Sequence, residues 1–164
     1  MISRLDGHSF MGYLCGEKRK EVMEEKLNID AIPPGSSKED IKARRQMIKD
    51  YYARWILDHP DRIVWNASMR ASIHIKNRSI NEILGHAARS VEATKNQFYL
   101  TTILSNALFV KELPVKRDDK NQKPFSKMYL LKWKQCRVLV GLQKSKNEYV
   151  LYYISAGQIK KAAR

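Results

Sequence analysis

The sequence predicts an α+β fold: two helices packed on an antiparallel meander sheet, preceded by a helical N-terminal extension. Two observations predict it. Hydrophobic spacing switches from a strand period in MRASIHIK (69–76) to a helical period in the residues that follow. Further on, three strand-like runs stand close together: KMYLLKWK (127–134), CRVLVGLQ (136–143) and EYVLYYIS (148–155). The connections between them are too short for a crossover, so neighbours must run antiparallel.

The extension covers residues 1–62. EKRKEVMEEKLN (17–28) spaces Val22, Met23 and Leu27 as a short helix does, and the prolines and glycine of AIPPGSS (31–37) end it. Ser36 or Ser37 then caps a helix over 38–58, with Glu39 or Asp40 at capping-box spacing. Ile41, Ile48, Tyr52 and Trp55 form its apolar stripe, and Pro60 stops it after His59.

The α+β domain covers residues 63–164. In 69–76, Ala71, Ile73 and Ile75 point one way and Ser72, His74 and Lys76 the other, the pattern of a half-buried strand. Ser79 caps the next helix with Glu82, and Ile80, Ile83, Leu84 and Ala87 form its buried stripe. His86 lies roughly 110° from the centre of that stripe, at the boundary, on the flank of Glu82 and Arg89. Residues 95–108 read as a second helix, ALFVKELP as a short strand, and 115–126 as a polar, mobile, lysine-rich loop. IKKAAR is a basic tail.

Charge is the most informative bulk property. The net charge is +14, and it is unevenly spread: residues 1–62 hold 12 basic and 11 acidic side chains, residues 63–164 hold 19 and 6. A one-signed field of that size draws polyanions by steering and counterion release, so a nucleic-acid partner is expected. No apolar run approaches the ~20 residues that cross a bilayer. MISRLDGHSFMGYLCG has no signal-peptide core. The expectation is a cytoplasmic protein with no membrane partner. Cys15 and Cys136 are expected to be free thiols. With four scattered histidines, they give no metal-ligand spacing, and no cofactor motif occurs, so no metal or cofactor is expected.

In order along the chain, SIHIKNRSINEILGHAARSVEATKN, LTTILSNALFVKE, KMYLLKWKQCRVLVGLQKS and EYVLYYIS resemble the barnase–EndoU–colicin–RelE-like nuclease superfamily. They are most similar to the branch found in large polyvalent proteins of phages and mobile elements. The resemblance covers about residues 63–156. It implies a helix pair on an antiparallel sheet, a nucleic-acid groove on the sheet's open face, and metal-independent cleavage of RNA. It also implies a toxin or effector module, for which an immunity or antitoxin protein would be the partner. Within it, His86 matches the branch's helix histidine, and Lys127 and Tyr129 match the start of its sheet.

Such cleavage uses the 2′-hydroxyl of RNA as nucleophile. Histidine suits the proton transfers, because it titrates near neutrality, and Lys or Arg suits the charge that builds on phosphorus. The catalytic candidates are therefore His86, Lys127, Tyr129 and His74, the last on the polar face of its strand. The nucleic-acid-binding candidates are Lys76, Arg78 and Arg89 around the strand-to-helix passage, Lys116, Arg117 and Lys123 in the loop, and Arg137, Tyr153 and Ser155 in the sheet. Tyr149, Tyr153 and Ser155 alternate on one face of the last strand. Exposed, they stack and hydrogen-bond RNA; buried, they are strand-forming core. A second reading of the same pattern is a non-catalytic module that binds nucleic acid or docks on protein.

Overall fold

Ser37 starts the first helix. Its hydroxyl accepts the Asp40 backbone N–H at 3.1 Å, and Glu39 and Asp40 set negative charge at the positive end of the helix dipole. The outcome in the computed structural model, which describes residues 31–156, is α1 (Lys38–Asp58). The expected helix at 17–28, His8, Cys15 and the C-terminal tail lie outside the described residues.

α1 is part of the domain. The compact unit that holds the sheet begins at Pro33, not at the expected boundary of 62/63. The cause is the helix's own stripe, because Ile48, Tyr52 and Trp55 need a surface to bury against. Residues 87–101 supply polar anchors for it. The Tyr52 hydroxyl donates to Gln97 Oε1 at 3.1 Å and Trp55 Nε1 donates to Thr101 Oγ1 at 3.0 Å. Arg44, 1% exposed, donates to the carbonyls of Ala88 (2.7 Å), Pro33 (2.8 Å) and Gly35 (2.5 Å).

β1 (Ile63–Asn66) and β2 (Ala71–His74) form an antiparallel hairpin. IVWN is too short to have been read as a strand. Asn66 fixes it in place, since its amide donates to the carbonyls of Leu104 and Ala107 at 2.7 and 2.8 Å. α2 (Asn77–His86) follows. Ser79 is not its cap but its third residue, buried, and its hydroxyl accepts the Lys76 N–H at 3.1 Å. A 3₁₀ turn (Ala87–Arg89) leads to α3 (Val91–Gln97) and α4 (Leu100–Asn106). The single helix expected over 95–108 is thus two helices. Phe98 and Leu100 are both wholly buried, yet two residues apart on one straight helix they would point about 200° apart. Turning the chain at Phe98–Tyr99 sends both inward.

β4 (Phe125–Trp133), β5 (Cys136–Gln143) and β6 (Glu148–Ser155) form the expected antiparallel meander, and β3 (Leu108–Leu113), whose place the sequence did not indicate, extends it antiparallel beside β4. The whole sheet is mixed, in the order β1-β2-β6-β5-β4-β3, because β2 joins β6 in parallel. Lys134 (φ 51°) and Asn147 (φ 54°) take the left-handed conformation in the two tight turns.

The register sorts the two faces. Met128, Gly141 and Val150 stand side by side, as do Leu130, Leu139 and Tyr153, with Arg137 beside Ser155. On the other face Leu131, Val138 and Ile154 align, and so do Tyr129, Val140 and Leu151. The centre of this second face is wholly buried. The first face carries a smaller cluster of Phe125, Met128, Leu139, Val150 and Tyr152. Phe125 lies so close over Gly141 that a Cβ there would stand 2.5 Å from the ring. A β6 bulge at Tyr152, where pairing slips between Leu139 and Val140, puts Tyr149 and Tyr153 on opposite faces. The shared face read from their alternation does not exist. Cys136 is a free, buried thiol whose pKa burial raises. Among the described residues no helix is long and apolar enough to cross a membrane.

Candidate functional site

His86 closes α2 and is 62% exposed. Its Nε2 stands 3.2 Å from Glu82 Oε1, one turn earlier on the same flank. Asn121 Nδ2 donates to the other Glu82 oxygen at 3.3 Å, so this carboxylate, only 16% exposed, is held between helix and loop. On its other side the imidazole meets Tyr153, with ring centroids 6.2 Å apart. The histidine therefore projects over the first face of the sheet.

A groove of about 700 Å³ opens there. Glu82 and His86 form one wall. Lys111, Leu113, Lys116 and Asp119 form the other; Met128, Leu130, Leu139 and Tyr153 make the floor; Arg137 and Ser155 also line it. The second wall contains the segment expected to be a mobile loop, but internal bonds shape it. Buried Gln122 accepts the Lys116 N–H at 2.8 Å, and Asp119 Oδ1 accepts the Asn121 N–H at 2.9 Å. The Tyr152 hydroxyl donates to Asp119 Oδ2 at 3.2 Å. Burial, then the negative charges of Glu82 and Asp119, push the Tyr152 pKa well up, so the hydroxyl stays a proton donor.

Three cations line this groove: Lys111, Lys116 and Arg137. Among the described residues none of them is within salt-bridge distance of a carboxylate. Arg137 moreover sits directly across from Lys132, and like charges opposed on neighbouring strands repel.

The structure brings together His86, Lys116, Arg137, Tyr153 and Ser155. It does not bring Lys127 or Tyr129 to them. Both lie on the opposite face, where Lys127 pairs with Glu112 at 3.3 Å and Tyr129 meets Phe109 and Tyr149. The reason is strand parity: in β4 it is Met128 and Leu130 that point to the groove, so odd-numbered neighbours point away. His74 is half-buried opposite Val150 and outside the groove. Lys76 is engaged by Glu148 (2.7 Å) and Gln143 (2.9 Å), and Arg78 lies over the Phe125 ring at 5.7 Å. Arg89, Arg117 and Lys123 are exposed but do not line the groove. Sequence reading missed Lys111, Asp119 and Tyr152. Lys111 follows a bulge in β3, which changes its face, and nothing in the sequence links Asp119 to Tyr152.

Chemically the groove can accept or return a proton at His86, hold the imidazole through Glu82, and neutralise a phosphate with Arg137 and the two lysines. The apolar floor and Tyr153 can pack against a base. Among the described residues no group of three His, Cys, Asp or Glu side chains could hold a metal ion. No family model, curated protein or solved structure matches the chain.

Proposed function

We propose that the groove binds RNA and cleaves it by metal-independent transesterification. The observation that carries this reading is an exposed imidazole, held by a carboxylate, in the same groove as three cations that have no carboxylate partner among the described residues. Neutral His86 takes the 2′-hydroxyl proton as O2′ attacks phosphorus. Arg137, with Lys111 or Lys116, stabilises the extra negative charge on the phosphorane. The bond to the 5′-oxygen breaks, that oxygen takes a proton from water, the hydroxide so formed takes the proton back from His86, and a 2′,3′-cyclic phosphate results. Glu82 is a positioning residue, because it stabilises the imidazolium that forms. Tyr153 takes the role expected of Tyr129. In this reading the protein is a cytoplasmic toxin or effector module, and an immunity partner would cover the groove with carboxylates.

The test is incubation of the purified protein with total RNA and tRNA in EDTA. The wild type should release ends with cyclic phosphate. His86→Ala should lower the rate by about 10²- to 10⁴-fold, the usual contribution of a proton-transferring group. Lys127→Ala, which lies outside the groove, should cleave a trinucleotide as the wild type does. Salt-sensitive RNA binding with no cleavage by the wild type would leave the groove as a binding module instead.

A further inference from the structure

Phe109 from β3, Tyr129 from β4 and Tyr149 from β6 meet on the second face of the sheet. The Tyr129 ring lies 6.1 Å from Phe109 and 5.6 Å from Tyr149. Tyr129 and Tyr149 reach across β5, where Val140 and Leu142 are their register partners. Lys127, 55% exposed, stands in the row of Leu142 and Tyr149. Phe109 is 46% exposed, and both tyrosines are half-buried, not closed off. Three rings and a lysine gathered at a surface have the make-up of an interaction site.

The strand that carries Phe109 is an edge strand, but it is defended against another strand. Val110 sits in a bulge, Lys111 and Glu112 are charged, and Pro114 follows. The charge balance of residues 63–164, 19 basic to 6 acidic, favours a polyanion. Rings beside a cation are how single-stranded nucleic acid is gripped without sequence readout. Only one strand, β3, separates this patch from the groove's edge: Lys111 faces the groove while Glu112 pairs with Lys127 on the other side. We propose that the patch of Phe109, Tyr129, Tyr149 and Lys127 is a second RNA site, which stacks unpaired bases of a strand that leaves the groove over β3. The proposal rests on the reading of the groove as an RNA site. A phosphate competes with Glu112 for Lys127 there.

The test measures fluorescence anisotropy with a labelled single-stranded RNA 12-mer, the same 12-mer with abasic sites in one half, and a trinucleotide. Phe109→Ala and Tyr129→Leu should each weaken the 12-mer about tenfold. They should leave trinucleotide affinity and cleavage unchanged. Tyr129→Phe keeps the ring and should bind as the wild type does. Abasic substitution in the correct half should weaken the wild type but have little further effect on Tyr129→Leu. Wild-type affinity in both Phe109→Ala and Tyr129→Leu, beside a groove that still binds and cleaves, overturns this proposal alone. Failure of the wild type to bind the 12-mer overturns both readings. A concentration-dependent dimer abolished by Phe109→Ala, with RNA affinity intact, would make the patch a self-contact and overturn the proposal as well.

Discussion

Arg44→Met removes the guanidinium that ties α1 to the turn just after His86, while it keeps most of the buried stem. Three carbonyls lose their donor: Ala88 at 2.7 Å, Pro33 at 2.8 Å and Gly35 at 2.5 Å. Hydrogen bonds to a charged donor contribute about 1.5–3 kcal/mol each, but they are not additive, and release of a desolvated charge offsets part of the loss. A buried acceptor left without its donor costs about 1–3 kcal/mol, so three carbonyls, with that offset, set the expected loss at about 3–5 kcal/mol. For a chain of this size each kcal/mol lowers Tm by roughly 2–4 °C, so the thermal midpoint should fall by about 6–20 °C. Urea denaturation followed by far-UV circular dichroism and by tryptophan fluorescence measures the free-energy loss, since Trp55 lies in the same helix, and a thermal melt measures the midpoint. Arg44→Lys should rescue little, since one ammonium cannot fork to three carbonyls. A loss under about 1 kcal/mol, or an early separate transition of α1, would refute the view that this helix is integral to the domain.

Three further outcomes follow from the same geometry. Gly141→Ala forces a methyl group against the Phe125 ring and should cost about 1–3 kcal/mol, measured as a shift in urea midpoint with an unchanged slope. Arg137→Ala should weaken RNA binding and reduce the slope of log affinity against log salt by about one phosphate contact, whereas an unchanged slope would remove Arg137 from the phosphate path. The Lys76 ammonium holds the Glu148 carboxyl below its ordinary pKa. A folded-state pKa depressed in this way adds stability above the unfolded-state value, and that stability disappears as pH falls through the folded one. A carboxyl-carbon NMR titration should therefore show Glu148 below the ordinary glutamate value, and Lys76→Ala should return it upward.

Local signals were legible where one element's own chemistry settles its form. Ser37 with Glu39 and Asp40 marks the start of α1, Pro60 marks its end, and the residues on either side of the Lys134 turn define a hairpin. Strand-like runs joined by short turns located β4, β5 and β6. Alternation along β6 failed at the bulge, where one extra residue at Tyr152 reverses the facing of all that follows. His86 was legible as a boundary residue with Glu82 one turn away, because helix spacing fixes that pair without help from the rest of the chain.

By itself the sequence determined the α+β class, the antiparallel order of β4 to β6, the cationic C-terminal part and the His86–Glu82 pair. All of these depend on neighbours within a few residues or on simple sums of charge. Only the tertiary structure decided which residues share a face across the sheet, that β2 runs parallel to β6, that α1 belongs to the domain, and that Lys127 and Tyr129 stand away from His86. Those outcomes depend on contacts between residues tens of positions apart, on strand bulges that reset parity, and on which buried stripe finds which partner. None of these leaves a periodic mark in the chain.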